Sequence, residues 1–314
     1  RLRRETQSIR RRIRCPTNKA SAIIGNCAIS ALVDQQGDIV WCCLPRFDST
    51  PVFHALLGSP TPASEDGRLI VEIENFSRVE QAYDQGTAIL RTRLFDHQGQ
   101  GIEITDFAPR FEQRDRMFRP AQLVRRIRAI HGHPRIRIQV KPRGEWGGQA
   151  PEITRGSHHL RYVMSDLTLR LNTSAPPTYV ADSTWFALHE PVSLLLGQDE
   201  TLSGGIEETA RDFEEQTAQH WLHWTRRLAV PLEWQDAVIR SAITLKLCQF
   251  EETGAIVAAM TTSIPEAPDS GRNWDYRYCW LRDAFFVVRA LNSLSEVGTM
   301  ENYLRWLHDV VSGA

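Results

Sequence analysis

Aromatic, arginine and aspartate side chains alternate in one short segment, which is the strongest candidate for chemistry in this chain. Residues 271–284 read GRNWDYRYCWLRDA. The apolar face of a sugar ring stacks on indole or phenol rings, while its hydroxyl groups pair with guanidinium and carboxylate groups. These residue types at this spacing therefore predict a hexose-binding surface.

The end of this segment is predicted to begin a helix. If Asp283 opens that helix, its carboxylate can accept hydrogen bonds from the first N–H groups, which fixes its direction. Arg282 and Asp283 then enter the mouth of a pocket side by side. Residue types alone leave two other interpretations open. One is an aromatic loop packed on a core, with a surface Arg–Asp pair; the other is a platform for nucleobases, which the two aspartates disfavour.

The region before this segment is predicted to be a β-sandwich. Between residues 22 and 203, apolar and polar residues alternate with period 2, as in strands with one buried face. Clusters of Gly, Pro, Asn and Asp separate roughly ten such runs, and no helical pattern intervenes. The predicted strands include 39–44, 69–73, 88–95, 102–105, 123–130, 136–140, 160–164, 167–171, 185–189 and 192–196. This arrangement is typical of a large antiparallel sandwich.

The hydrophobic period changes after residue 203. Apolar residues recur at three- and four-residue steps between 207 and 228, which predicts an amphipathic helix with Trp221 and Trp224 on its buried face. We assign residues 204–230 to this helical linker. Further helical patterns, which begin with Trp234 in the buried seam of the next helix, predict that 231–314 is the start of an all-α domain. So few helices cannot enclose a complete helical domain, and we expect the chain to be a fragment.

Composition and charge exclude several classes of protein. The 314 residues are 42% hydrophobic and 24% charged, with 37 Lys and Arg against 38 Asp and Glu. This balance predicts no global attraction to nucleic acid or to an anionic membrane. No apolar run approaches the roughly 18 residues that span a bilayer. The six cysteines form no CxxC pair, so we expect reduced thiols and a cytoplasmic protein. The arginine-rich leader at 1–21 is predicted to be disordered.

Residues 273–284 resemble the signature at the start of the barrel in glycoside hydrolase family 15, which includes bacterial glucoamylase-like and trehalase-like proteins. A second motif lies far upstream, where residues 24–27 read IGNC and residues 37–49 read GDIVWCCLPRFDS. This second motif resembles the trehalase-like N-terminal β-domain that precedes that barrel. Two motifs in the expected order are more specific than either alone, and the resemblance covers residues 22–314.

The resemblance implies a β-sandwich joined by a helical linker to an (α/α)6 barrel, of which 231–314 is the incomplete start. It implies hydrolysis of α-glucosidic bonds with inversion, which requires a general acid and a general base. In the family both are glutamates well downstream, so we expect them beyond Ala314 and no catalytic residue in this chain. The resemblance implies that Tyr276, Trp280, Arg282 and Asp283 bind the non-reducing glucose.

The implied substrate is an α-glucoside, either trehalose or a malto-oligosaccharide, and the β-domain motif favours trehalose. We expect no cofactor, no metal and no nucleic-acid or membrane partner, and the sequence leaves homo-oligomerisation open. The alternative function is a non-catalytic β-sandwich module that binds carbohydrate or supports assembly. The histidine pairs at 131/133 and 158/159 have no carboxylate or cysteine at ligand spacing. The glycine-rich run 144–148 predicts a turn rather than a ligand cradle.

Overall fold

The fold consists of two large antiparallel β-sheets followed by helices. The computed structural model describes residues 21–57, 67–262 and 274–313. The predicted leader therefore lies outside the described residues except for Ser21, as do Arg272 and Asn273 of the aromatic segment. The strands are β1 (Ser21–Gly25), β2 (Ser30–Asp34), β3 (Ile39–Cys43), β4 (Pro51–Phe53), β5 (Arg68–Ile73), β6 (Phe76–Tyr83), β7 (Leu90–Asp96), β8 (Gly101–Phe107), β9 (Phe111–Gln113), β10 (Arg116–Phe118), β11 (Gln122–His131), β12 (Arg135–Lys141), β13 (Glu152–Arg155), β14 (His159–Val163), β15 (Thr168–Thr173), β16 (Phe186–Ala187) and β17 (Val192–Gln198). The α-helices are α1 (Pro177–Ala181), α2 (Ile206–Thr225), α3 (Gln235–Leu247), α4 (Leu281–Ser293) and α5 (Gly298–Ser312), and short 3₁₀ turns lie at Ala55–Leu57 and Glu145–Gly147.

The two large sheets face each other across one hydrophobic core. The first has seven strands in the order β1-β2-β3-β5-β12-β16, with β4 paired to β3. The second has eight strands in the order β13-β14-β15-β17-β11-β8-β7-β6. Inward side chains of both sheets form one buried cluster, with Ile24 and Val71 from the first sheet and Ile104 and Ile127 from the second. The predicted antiparallel sandwich, followed by helices, is confirmed and is consistent with the start of a helical barrel.

Most local differences from the prediction occur where a segment is short, although the eight-residue β6 is also absent from the predicted strands. Helix α1 interrupts a region in which the sequence predicts no helix. Pro177 occupies a position in its first turn, where the fixed φ of proline suits a helix and its missing N–H costs nothing. The strand predicted at 185–189 is reduced to β16, which pairs with β12 over two residues. Strands of two to four residues are too short to show a reliable period.

One ion pair lies inside the sandwich. Arg125 of β11 donates hydrogen bonds from Nε and Nη2 to the two carboxylate oxygens of Asp106 on β8, over 2.6 and 2.9 Å. Both side chains are almost fully buried, and Arg125 also donates to the Gly37 carbonyl over 2.7 Å. Burial raises the pKa of Asp106, because desolvation outweighs the attraction of Arg125. Each of the two side chains is therefore the hydrogen-bonding partner that the other needs inside the core.

Helix α2 covers the outer face of the eight-stranded sheet. Ala210 is buried with Phe107, Val124 and Leu195 of the sheet. The carboxylate of Glu214 accepts hydrogen bonds from two arginines of the same sheet face. Further along the helix, Trp221 is fully buried and Trp224 packs edge-on against it with 5.7 Å between ring centroids. These contacts confirm the predicted tryptophan-rich face of α2. Through this face the helix packs on the sandwich.

The last three helices pack on α2 and on each other. Ile243 and Leu247 of α3 are buried with Trp221 of α2 and with Cys27 of the sandwich. The prediction that Trp234 lies on the buried face of α3 is wrong. Trp234 occupies the N-cap position and is 79% exposed, because the buried face of the helix begins one turn later. Helices α4 and α5 pack through a small buried cluster and leave several apolar side chains exposed, among them Phe285, Phe286, Leu304 and Val311. No helix in the described ranges is long and apolar enough to cross a bilayer.

A cluster of buried charges joins the sandwich to the helices. Arg110, which follows β8, donates to both carboxylate oxygens of Glu251 beyond α3, over 2.6 and 2.8 Å. Its Nε donates to Nε2 of His220 on α2 over 2.9 Å, and Lys246 of α3 lies 3.2 Å from Glu251. Burial would raise the pKa of Glu251, but Arg110 and Lys246 lower it to about 2. Burial and the charge of Arg110 lower the pKa of His220 to about 4.

Candidate functional site

The aromatic segment forms a compact surface at the start of α4. Tyr276 and Trp280 are both half-buried, with 6.4 Å between their ring centroids and 35° between their planes. Trp274, which is 53% exposed, packs edge-on against Trp280 at 6.2 Å. The indole Nε1 of Trp280 donates to the Asp275 carbonyl over 3.2 Å. The structure thus brings the two predicted aromatic residues together and fixes the orientation of Trp280.

Arg282 and Asp283 lie in the first turn of α4. Helix α4 begins at Leu281, so the expectation that Asp283 opens the helix is wrong by two residues. Trp280 occupies the N-cap position and makes no side-chain capping bond. Arg282 instead donates from Nη2 to Oδ2 of Asp283 over 3.2 Å, with side-chain exposures of 76% and 36%. A guanidinium–carboxylate pair is therefore accessible in the turn that follows Trp280, and its binding role stays a prediction.

Arg277 connects the segment to the β-sandwich. Its side chain is buried, and Nη1 donates to the Ser49 carbonyl over 2.8 Å and contacts Sγ of Cys43 at 3.6 Å. Nε and Nη2 donate to the two carboxylate oxygens of Asp275 over 3.1 and 2.8 Å. Sequence reasoning missed this role because Ser49 lies far away in the chain. The tight Asp–x–Arg spacing within the segment was the one available signal.

The charge state of Asp275 follows from this contact. Burial opposes its ionisation, but the hydrogen bonds from Arg277 outweigh burial and hold its pKa below the usual range. A carboxylate that stays ionised and bidentate to an arginine is suited to holding a loop and unsuited to donating a proton. Asp275 therefore positions the segment.

A second connection runs through residues 258–260. The amide N–H of Ala259 donates to the Tyr276 carbonyl over 2.9 Å, and that of Ala258 donates to the Tyr278 carbonyl over 3.2 Å. The fully buried Trp41 of β3 donates from Nε1 to the Met260 carbonyl over 2.7 Å. Trp41 belongs to the upstream sequence motif, so the two distant motifs are joined through this segment as well as directly through Arg277.

Asn26, also in the upstream motif, stabilises a turn of the β-sandwich. Its amide donates to the Pro109 and Pro120 carbonyls over 3.0 and 2.8 Å. Its Oδ1 accepts from the N–H groups of Ala28 and Ile29 at 3.1 Å. With no exposed surface, Asn26 holds the β1–β2 turn beside Arg110 and contributes structure rather than chemistry.

Two concave surfaces lie away from the aromatic segment. One, of about 670 Å³, lies on the outer face of the eight-stranded sheet around Glu103, whose carboxylate pairs with Arg93 and Arg128. Another, of about 460 Å³, lies beside Trp234. Neither includes a residue of 274–283. Within the described ranges, no three His, Cys, Asp or Glu side chains converge in a way that could hold a metal ion.

Comparison with known proteins gives the same order of parts along the chain. Residues 13–176 match the family model "Trehalase-like, N-terminal", and residues 234–313 match "Glycosyl hydrolases family 15". The first match covers just over half of the chain. Both matches agree with the family resemblance of the two sequence motifs.

Several proteins named trehalase are similar over most of the chain. The trehalase of Thermoplasma volcanium is 27% identical over 95% of this chain and 48% of its own length. That of Thermoplasma acidophilum is 29% identical over 90% of this chain and 48% of its own length. That of Mycolicibacterium smegmatis is 29% identical over 93% of this chain and 47% of its own length. The chain therefore spans about half the length of these relatives.

Proposed function

Because this chain belongs to the glycosyl hydrolase family 15 proteins with a trehalase-like N-terminal domain, we propose that it is part of an α-glucoside hydrolase. The observation that carries the proposal is the pair of family matches in the order β-domain then barrel start, with relatives named trehalase. We propose trehalose as the substrate, with malto-oligosaccharides as the alternative of a glucoamylase-like enzyme.

The sugar-binding role is assigned to four residues. Tyr276 and Trp280 would contact the apolar face of the non-reducing glucose, and Arg282 and Asp283 would pair with its hydroxyl groups. The exposed Arg282–Asp283 ion pair, two residues after Trp280 in the chain, supports this assignment. None of the four is assigned a proton-transfer role. The general acid and base of an inverting mechanism are proposed to be glutamates beyond Ala314.

The proposal divides the chain into parts with different tasks. Residues 22–203 form the β-domain, 204–230 the linker and 231–314 the first part of the helical barrel. The β-domain would hold the sugar-binding segment through Arg277 and Trp41, as their contacts indicate. Within the ranges that the structure describes, five cysteines are free and three of these are buried, which supports a cytoplasmic location. Homo-oligomerisation is left to measurement.

Substitution of Trp280 tests the proposed site. Trp280→Ala is expected to weaken the binding of trehalose and of maltose to the 314-residue chain by about tenfold, because a stacked ring contact is worth about 0.5–1.5 kcal/mol beyond its buried area. Trp280→Phe retains a ring and should lose less. Isothermal titration calorimetry or saturation-transfer NMR measures the effect, and circular dichroism verifies folding.

Two controls make this test decisive. Trp234→Ala removes an exposed tryptophan before α3 and should leave sugar affinity unchanged. Incubation of the unaltered chain with trehalose should release no glucose, since the proposed glutamates lie outside it. Equal affinity of the Trp280→Ala variant and the unaltered chain would refute the site, and clear glucose release would refute the placement of the catalytic residues.

A further inference from the structure

An exposed tryptophan of the β-sandwich lies beside the candidate site. Trp146, in the turn between β12 and β13, is 48% exposed. The turn is closed by paired backbone hydrogen bonds between Gly144 and Gln149, at 3.0 and 3.1 Å. It is also attached to the first sheet, because the N–H of Arg143 donates to the Val52 carbonyl over 3.0 Å. The indole is therefore presented on a well-anchored turn, although the sequence suggests only a turn there.

The backbone of this turn is strained. Glu145 and Trp146 have φ angles of 49° and 56°, in the left-handed region that non-glycine residues rarely adopt. Gly147 follows with φ 98°, and a Cβ there would lie 2.3 Å from Nε2 of His54. Two consecutive strained side-chain-bearing residues persist only where the surroundings impose them, and such strain clusters at ligand-binding sites.

Arg277 places Trp146 next to the sugar-binding segment. Its guanidinium carbon lies 5.1 Å from the centroid of the Trp146 ring, within the range of a cation–π contact. The same guanidinium donates to Asp275 and to the Ser49 carbonyl. Since Arg277 directly follows Tyr276, a single arginine side chain connects the indole of the β-sandwich with the proposed glucose-binding rings.

We propose that Trp146 is a sugar-binding residue supplied by the β-sandwich, which contacts the second hexose of an α-linked gluco-disaccharide. This inference rests on the proposed function, in which the first hexose binds at Tyr276 and Trp280. Arg277 occupies one face of the indole, and the exposed half of the side chain is available to an apolar sugar face. Trp146 is then a specificity-determining residue that distinguishes a disaccharide from free glucose.

A purely structural role of Trp146 predicts a different effect of its removal on sugar binding. If Trp146 only covers Arg277, its loss would disturb the whole segment and weaken the binding of glucose and of disaccharides alike. If Trp146 binds the second hexose, its loss would weaken disaccharide binding alone. The ratio of the two dissociation constants therefore separates the two roles.

The experiment measures the binding of glucose, trehalose and maltose to the 314-residue chain by saturation-transfer NMR titration. The unaltered chain is expected to bind at least one disaccharide about fivefold more tightly than glucose. Trp146→Ala should reduce this preference to less than about twofold while leaving glucose affinity unchanged. Trp146→Phe, which retains an aromatic face, should preserve most of the preference.

Trp234→Ala is the matched control, since Trp234 is also exposed and also has a left-handed φ of 61°. It should behave like the unaltered chain. The inference is overturned if Trp146→Ala keeps the disaccharide preference, if it weakens glucose equally, or if the unaltered chain shows no preference. Absence of binding to all three sugars would instead refute the proposed function itself. Circular dichroism verifies that each variant is folded. If Trp146→Ala is not folded, Trp146→Leu provides the test, because it keeps an apolar side chain without an aromatic face and should lose the preference in the same way.

Discussion

Replacement of Arg125 by methionine is expected to lower the free energy of unfolding by about 3–5 kcal/mol, because it leaves a buried carboxyl group without its partner. Asp106 is completely buried and receives two hydrogen bonds from Arg125. The Gly37 carbonyl would also lose its side-chain donor. Urea unfolding at pH 7, followed by circular dichroism, measures the change.

Two further variants identify the cause. Combining Arg125→Met with Asp106→Leu should recover most of the loss, since an apolar pair of similar volume replaces a buried ion pair at little cost. Arg46→Met removes a surface pair with Asp48, in which both side chains are more than half exposed, and should cost less than about 1 kcal/mol. A double variant no more stable than Arg125→Met would show that packing, rather than the unpaired carboxyl group, causes the loss.

Acid is expected to destabilise the protein in two steps through the buried charge cluster. The pKa of His220 is about 4 in the fold against 6.5 for the free side chain, so the unfolded chain binds more protons between these values. The free energy of unfolding should fall by about 3 kcal/mol as pH drops from 6.5 to 4. Glu251, with its pKa lowered from 4.5 to about 2, should remove a similar amount between pH 4.5 and 2. Urea unfolding across this range measures both steps.

His220→Gln isolates the first step. The amide oxygen of glutamine can accept the hydrogen bond that Arg110 donates to His220, without binding a proton in this range. The variant should therefore unfold with little change in stability between pH 6.5 and 4.5. His223→Gln, which changes an exposed histidine of the same helix, should retain the slope of the unaltered chain. An unchanged slope in His220→Gln would contradict the assignment to this residue.

The elements of the fold could be predicted where they are long and periodic. The alternation in β11 and β12 marks two strands that the structure extends by a residue or two. The three-to-four-residue spacing of α2 predicts both its length and its buried face. Short pieces such as β16 and α1 are not predicted correctly, since tertiary pairing rather than local pattern decides them. The eight-residue β6 is also not predicted, because it has no fully buried residue and is rich in polar side chains. Arg125 is not singled out in the sequence, although its place between the inward-facing Leu123 and Ile127 is a signal that could have marked it as buried.

The sequence predicts the residue types of the candidate site, but it does not predict the contacts that hold the segment in place. The alternation of rings and charges singles out residues 271–284, and the family resemblance names Tyr276, Trp280, Arg282 and Asp283 within it. The structure places these four residues in two pairs, and their binding role stays a prediction. The contacts of Arg277 with Ser49 and Trp146 join residues that are distant in sequence. Such pairings depend on how two separately folded parts pack, and no local period encodes them.

The most direct test of the central claim is a crystal structure of this chain with trehalose. We expect a glucose ring against the indole of Trp280 or the phenol of Tyr276, with a hydroxyl group hydrogen-bonded to Arg282 or Asp283. A trehalose molecule bound only at another surface, such as the concavity around Glu103, would contradict it. So would an unoccupied segment 276–283 in crystals soaked at a concentration that saturates the chain in solution.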